Sequence, residues 1–173
     1  STEFENVPAQ ALDELESLGV FVAPRSSCVS IAQNRVAEKK FLATLKAETH
    51  IGPAPYAVIE HDADMAHVSP DLFPGILKTA RMGYDGKGQI NVPNRESLSK
   101  AWAELGYVDC LLEERLDLRF ELSVVLARGQ GGELRVYQAI ENIHHQGILA
   151  LSYFPARSHP EFAKQAEVLA AKL

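Results

Sequence analysis

A lysine in an apolar strand, followed by a loop with three glycines and two further cations, constrains this chain more than any other feature. The run Ile76-Leu77-Lys78-Thr79 follows Pro74-Gly75 and reads as a strand. Gly83, Gly86 and Gly88 punctuate the loop after it, and Gln89 to Val92 resume as a strand, so the segment predicts a hairpin with a long glycine-rich tip. Lys78, Arg81 and Lys87 place three positive charges within ten residues of a chain whose formal charge is -6. Glycines let backbone N–H groups approach an anion closely, and neighbouring cations offset the charge of a polyphosphate. The spacing matches neither the Walker pattern nor the dinucleotide fingerprint, because the loop joins two strands and does not open a helix. Taken alone, it fits a solvated hairpin tip as well as a phosphate lid.

The remaining pattern is α+β. Pro8 starts a helix carrying Leu12, Leu15 and Leu18, and Gly19 ends it. Val20-Phe21-Val22 reads as a short buried strand, and Ser30 to Leu45 as one helix with Arg35, Glu38, Lys39 and Lys40 on its polar face. Tyr56 to Ile59 is a strand, while Glu60 to Ser69 has no clear period. Asn94 caps a helix that runs to Gly106 with Leu98, Trp102 and Leu105 on one side. Asp109 to Glu114 is an apolar strand, Arg119 to Arg128 alternates as another, and the turn at 129–132 returns it into Glu133 to Gln138. Trp102, Phe120 and Phe154 read as core. The expected division is residues 1–51, 52–108 and 109–173, with a boundary near Val108 and a weaker one near Gly52.

Charge and composition narrow the classes. An acidic chain lacks the basic face of a nucleic-acid binder, and no apolar run is long enough to cross a bilayer. Cys28 and Cys110, far apart in sequence, form neither a disulfide framework nor a metal-ligand spacing. They read as small buried hydrophobes in a reducing, cytoplasmic compartment. The chain begins Ser-Thr-Glu-Phe-Glu and ends inside the helical pattern Pro160 to Leu173, which reads as a central fragment.

Four motifs in order carry a resemblance. They are Glu3-Phe4-Glu5-Asn6-Val7, Gly83-Tyr84-Asp85-Gly86-Lys87-Gly88-Gln89, Phe120-Glu121-Leu122-Ser123-Val124, and Glu141-Asn142-Ile143-His144-His145-Gln146-Gly147-Ile148-Leu149. With Asn34-Arg35, Glu38-Lys39 and Leu111-Leu112-Glu113-Glu114, they resemble the ATP-grasp superfamily, and within it the carboxyaminoimidazole ribonucleotide synthetases. The resemblance implies two α+β subdomains that clamp ATP, and a ligase that carboxylates aminoimidazole ribonucleotide with bicarbonate. It implies Mg²⁺ held by residues outside this chain, no metal ligands within it, and a parent homodimer.

Residue by residue, the resemblance puts Arg35 and Lys78 at the ATP phosphates, with Lys78 also near the base. Tyr84, Asp85, Gly86, Lys87, Gly88, Gln89 and Ile90 would form the lid. Glu113, Glu114, Arg115 and Leu116 would run beside adenine, Glu121 would accept from the ribose hydroxyls, and His144 would lie near the nucleotide. Tyr84, Asp85, Lys87 and Glu5 would face the aminoimidazole ribonucleotide. Arginine often stands in the family where this chain has Lys87, and lysine offers a point charge in place of a planar two-toothed contact.

Each residue has a plainer reading as well. Arg35 could pair with Glu38 on a helix surface, and Glu113 and Glu121 could be strand carboxylates facing water. Adjacent strand residues face opposite ways, so His144 and His145 cannot share a metal. Another ATP-grasp carboxylase or ligase, or a non-catalytic nucleotide-binding module, also fits the motifs.

Overall fold

The computed structural model describes residues 6–49, 51–83, 87–145, 147–157 and 159–172. These divide into two units, 1–116 and 117–173.

The first unit starts with three helices, α1 (Ala9–Ser17), α2 (Ser26–Ala32) and α3 (Arg35–Thr49), each packed on the next. Asp13 and Glu16 of α1 both accept from the hydroxyl of buried Ser26, and Glu16 also accepts from its N–H, which satisfies donors at the start of α2. The single helix expected over Ser30 to Leu45 is two helices. Asn34 turns the chain between them and caps α3, its Oδ1 accepting from the N–H groups of Val36 at 2.9 Å and Ala37 at 3.3 Å. The strand expected at 20–22 does not form. Val20 and Phe21 are 48% and 67% exposed, so no sheet neighbour is there to bury them.

Four strands follow: β1 (Tyr56–Ile59), β2 (Gly75–Thr79), β3 (Gln89–Val92) and β4 (Cys110–Glu114). They form an antiparallel sheet in the order β1-β4-β2-β3. Helix α4 (Leu98–Glu104) joins β3 to β4, with Asn94 accepting from Ser97 N–H in the turn before it. The uncertain stretch after β1 is a short 3-10 turn, held by Arg95, whose guanidinium donates to the carbonyls of Met65 and Val68.

Strand alternation gives this sheet two different faces. Ile59, Leu77, Val92 and Leu112, all fully buried, pack with Leu98, Trp102 and Val68 on one side. On the other side Leu111 and Ala80 meet Val36 of α3, flanked by Tyr56 and Val58. Trp102 is core as expected, and its Nε1–H donates to Val108 at 2.8 Å. The boundary expected near Val108 falls inside this packing. β4 is an interior strand of the first sheet, bonded to both β1 and β2, and the structure divides only after Leu116.

The second unit contains β5 (Glu121–Ser123), β6 (Leu126–Arg128), β7 (Leu134–Val136), β8 (Ile140–His145), β9 (Ile148–Tyr153) and α5 (Pro160–Ala170). β5, β8 and β9 form one antiparallel sheet, and β6 with β7 form a separate ribbon. The single strand expected over Arg119 to Arg128 is therefore two. Side-chain alternation continues through it, but the hydrogen-bonding partner changes from β8 to β7 between Ser123 and Leu126. Phe120 is partly buried, stacked on His159 with ring centroids 4.5 Å apart and tilted against Phe162. Phe154, expected in the core, is 62% exposed. Cys110 is buried as expected, whereas Cys28 is exposed on α2.

Candidate functional site

The hairpin read from the sequence forms as β2 and β3, with Leu77 opposite Ile90 and Lys78 opposite Gln89. Gln89 and Ile90 thus belong to the strand, and the loop proper ends at Gly88. Ile90 packs its side chain against the apolar core, on the face opposite Lys78. At the neck of the loop Thr79 N–H donates to Gly88 O at 2.8 Å. Gly88 has φ +71°, and a Cβ there would lie 2.6 Å from Thr79 Oγ1, so only glycine fits without displacement. Tyr84, Asp85 and Gly86 lie outside the described residues, as does Glu5.

Arg35 opens α3 beside this neck. Its N–H donates to Ala80 O at 2.9 Å, tying the helix to the end of β2. Its guanidinium sits 3.1 Å from where a Cβ on Gly83 would be. Among the described residues it forms no ion pair, and the surface pairing with Glu38 does not occur.

One turn along α3, Lys39 reaches Glu113. Lys39 Nζ lies 3.1 Å from Glu113 Oε1, and Lys78 Nζ lies 2.8 Å from Glu113 Oε2. Each carboxylate oxygen thus has its own ammonium group. The three residues come together because β2 and β4 pair with Ile76 opposite Glu113 and Lys78 opposite Leu111, which puts Lys78 and Glu113 on the α3 face. Glu113 is not a strand carboxylate facing water, since its side chain is 11% exposed.

Burial alone would raise the Glu113 pKa, but the hydrogen bond and charge of Lys78, and then those of Lys39, hold it below its ordinary value of 4.5. The folded chain therefore binds this proton more weakly than the unfolded chain. Glu113 adds stability above the unfolded value, and that contribution is lost as pH falls through the lower folded value. Urea midpoints measured from about pH 6 to about pH 3 are expected to fall more steeply for the wild type than for Glu113→Gln. Parallel curves would contradict the assignment.

The rest of the expected adenine segment leaves this face. Glu114 N–H donates to Pro55 O and Arg115 N–H to Pro74 O, both at 3.0 Å, while Arg115 and Leu116 are exposed at the end of the first unit.

In the second unit β5 and β8 pair with Glu121 opposite Asn142. His144, two residues along β8, is diagonal to Glu121, and its Nδ1 lies 2.6 Å from Glu121 Oε2. Asn142 Nδ2 donates to Ser123 Oγ at 2.9 Å, and Ser152 Oγ donates to Asn142 Oδ1 at 2.8 Å. One face of this sheet therefore carries two polar groups, Ser123–Asn142–Ser152 and the partly exposed pair Glu121–His144.

The motifs point to Lys78, Arg35, Glu113, Glu121 and His144 and give Lys39, on the polar face of its helix, no role of its own. The signal was present, because Arg35 and Lys39 are four apart and so share one side of a helix.

Comparison with known proteins identifies the architecture. Residues 44–173 match the model of the ATP-grasp domain. The chain is 36% identical over 172 residues to the N5-carboxyaminoimidazole ribonucleotide synthase of Bacillus subtilis, a match that covers 99% of this chain and 44% of that protein. Among solved structures, the carboxyaminoimidazole ribonucleotide synthase of Aspergillus clavatus complexed with ATP superposes with a TM-score of 0.85 at 27% identity, over 98% of this chain and 44% of that one. An Aspergillus clavatus structure in complex with ADP and 5-aminoimidazole ribonucleotide gives a TM-score of 0.81 at 25% identity, over 98% and 43% of the two chains. The chain thus spans about half the length of the relatives it matches. With the domain model covering most of its residues and the two-faced sheet and glycine hairpin in place, this chain belongs to the ATP-grasp family.

Proposed function

We propose that this chain is part of an ATP-dependent ligase that carboxylates 5-aminoimidazole ribonucleotide to N5-carboxyaminoimidazole ribonucleotide, a step of purine biosynthesis. The observation that carries the reading is the gathering of Lys78, Glu113 and Lys39 on the α3 face of the first sheet, with Arg35 at the neck of the glycine loop. The naming of the relatives supports the choice of substrate.

In this reading bicarbonate attacks the γ-phosphorus of ATP, ADP leaves, and carboxyphosphate forms. The exocyclic amine of the ribonucleotide then attacks the carboxyl carbon, losing a proton as phosphate departs. Such transfers depend on positioning and charge stabilisation more than on a protein nucleophile. Lys78 and Arg35 would take the phosphates, and residues 84–88 would close over them and exclude water from the labile intermediate. Glu113 would lie beside adenine, Glu121 would accept from the ribose hydroxyls, and His144 would lie near the nucleotide. Tyr84, Asp85, Lys87 and Glu5 would face the ribonucleotide.

Magnesium is the expected companion of ATP. The described residues do not fit it: none of their His, Cys, Asp and Glu side chains gather in a group of three or more, and both oxygens of Glu113 are taken by ammonium groups. In this reading the ion would be held by ligands outside this chain. The reading also includes a cytoplasmic homodimer, with residues 1–51 as the end of an N-terminal domain and its connector. Among the described residues no helix is long and apolar enough to cross a membrane.

The test is phosphate release from ATP by the complete protein in bicarbonate. Adding 5-aminoimidazole ribonucleotide is expected to raise the rate by at least about tenfold, as for an interaction made only when the acceptor is bound. Stimulation by a different acceptor alone would transfer the chain to another ATP-grasp ligase.

A further inference from the structure

We propose that Lys39 is a positioning residue for nucleotide binding, which keeps the Glu113 carboxylate paired when Lys78 turns from Glu113 toward a phosphate. The proposal rests on the reading that ATP is the ligand of this face.

In the structure Glu113 uses both oxygens, one for each ammonium. The two lysines are not equivalent. Lys78, on β2, has a side chain 24% exposed, whereas that of Lys39 is 13% exposed, with its Nζ 5.9 Å from the centroid of the Tyr56 ring. Lys39 is also held by its helix. Asn34 caps α3, Arg35 N–H bonds to Ala80 O, and Val36 is buried against Ala80 and Leu111. Lys78, the less enclosed of the two, is therefore the one placed to turn toward a ligand, and Lys39 is the one placed to stay.

That difference decides what ligand capture costs. A buried carboxylate whose only partner departs is left unpaired in a poorly solvated place, and such a group is far less stable than a paired one. With Lys39 on Oε1, the departure of Lys78 leaves Glu113 charged and satisfied. Without Lys39, every productive encounter with ATP must strand Glu113 or leave Lys78 where it is. Lys39 needs no contact with ATP to have this effect, because it acts through Glu113.

The experiment compares wild type, Lys39→Met, Lys39→Arg, Glu113→Gln and the double variant Lys39→Met/Glu113→Gln in the complete protein, reading KM for ATP and kcat separately. Lys39→Met is expected to raise KM for ATP about tenfold while kcat stays within about threefold, since the loss precedes chemistry. Lys39→Arg, which retains the charge, is expected to restore KM to within about threefold of wild type. In the Glu113→Gln background the neutral amide needs no counter-ion, so Lys39→Met is expected to add less than about twofold.

An unchanged KM in Lys39→Met would overturn the proposal, as would a tenfold loss that persists in the Glu113→Gln background. If Lys39→Met fails to fold, failure of Lys39→Arg to keep a wild-type KM overturns it instead. Wild-type protein that does not use ATP at all would sink the underlying reading, an outcome distinct from any of these.

Discussion

Replacing Lys78 by alanine in the complete protein is expected to lower kcat/KM for ATP by about 100-fold or more. The side chain is a cation on the face that also carries Glu113, at the base of the loop whose neck Thr79 and Gly88 close. Losing a single pre-placed donor to developing charge typically costs about 10²–10³ in rate, and an ammonium in the proposed role at the phosphates belongs in that range. The fold should survive, because Glu113 keeps Lys39 on its other oxygen. Steady-state kinetics with varied ATP, alongside a thermal melt to confirm folding, make the measurement. Wild-type kinetics in a folded Lys78→Ala protein would remove this lysine from the site.

Leu112→Ala is expected to destabilise the protein by about 2–5 kcal/mol, the usual result of truncating a fully buried leucine. Leu112 is wholly buried in β4, between Ala57 of β1 and Leu77 of β2. It lies so close to Gly75 that a Cβ on that glycine would come within 2.8 Å of its Cδ1. With backbone on either side, the space it leaves cannot readily collapse. Urea unfolding read by circular dichroism gives the comparison, and a loss below about 1 kcal/mol would mean that this core is looser than described.

The elements legible in the sequence were those whose signals are local. The β2–β3 hairpin, α4 with its Asn94 turn, and β4 follow from alternation, glycines and capping residues that sit next to one another. Asn34 shows how a local signal can be passed over. Apolar residues continue on both sides of it, yet its side chain caps a new helix.

What escaped the sequence depends on partners far along the chain. Nothing between Ser123 and Leu126 announces a change from β8 to β7, because alternation reports which way a side chain faces and not which strand it bonds to. Val20 and Phe21 have strand-forming side chains but no sheet to join. At the site, Lys78 and Glu113 were legible as residue types in motifs, but their contact needs the β2–β4 register. The Glu121–His144 contact likewise needs the pairing of β5 with β8.

The two-faced first sheet has a consequence for how changes to this chain will be tolerated. Along β2 and β4 neighbouring positions serve opposite ends: Leu77 and Leu112 hold the core, while Lys78 and Glu113 carry the charges. Point substitutions can harm one end and spare the other. A single-residue insertion or deletion within either strand cannot, because shifting the parity of the pleat turns an ammonium or carboxylate into the oily side and a leucine out onto the charged face. These strands can therefore vary in side-chain identity but not in length.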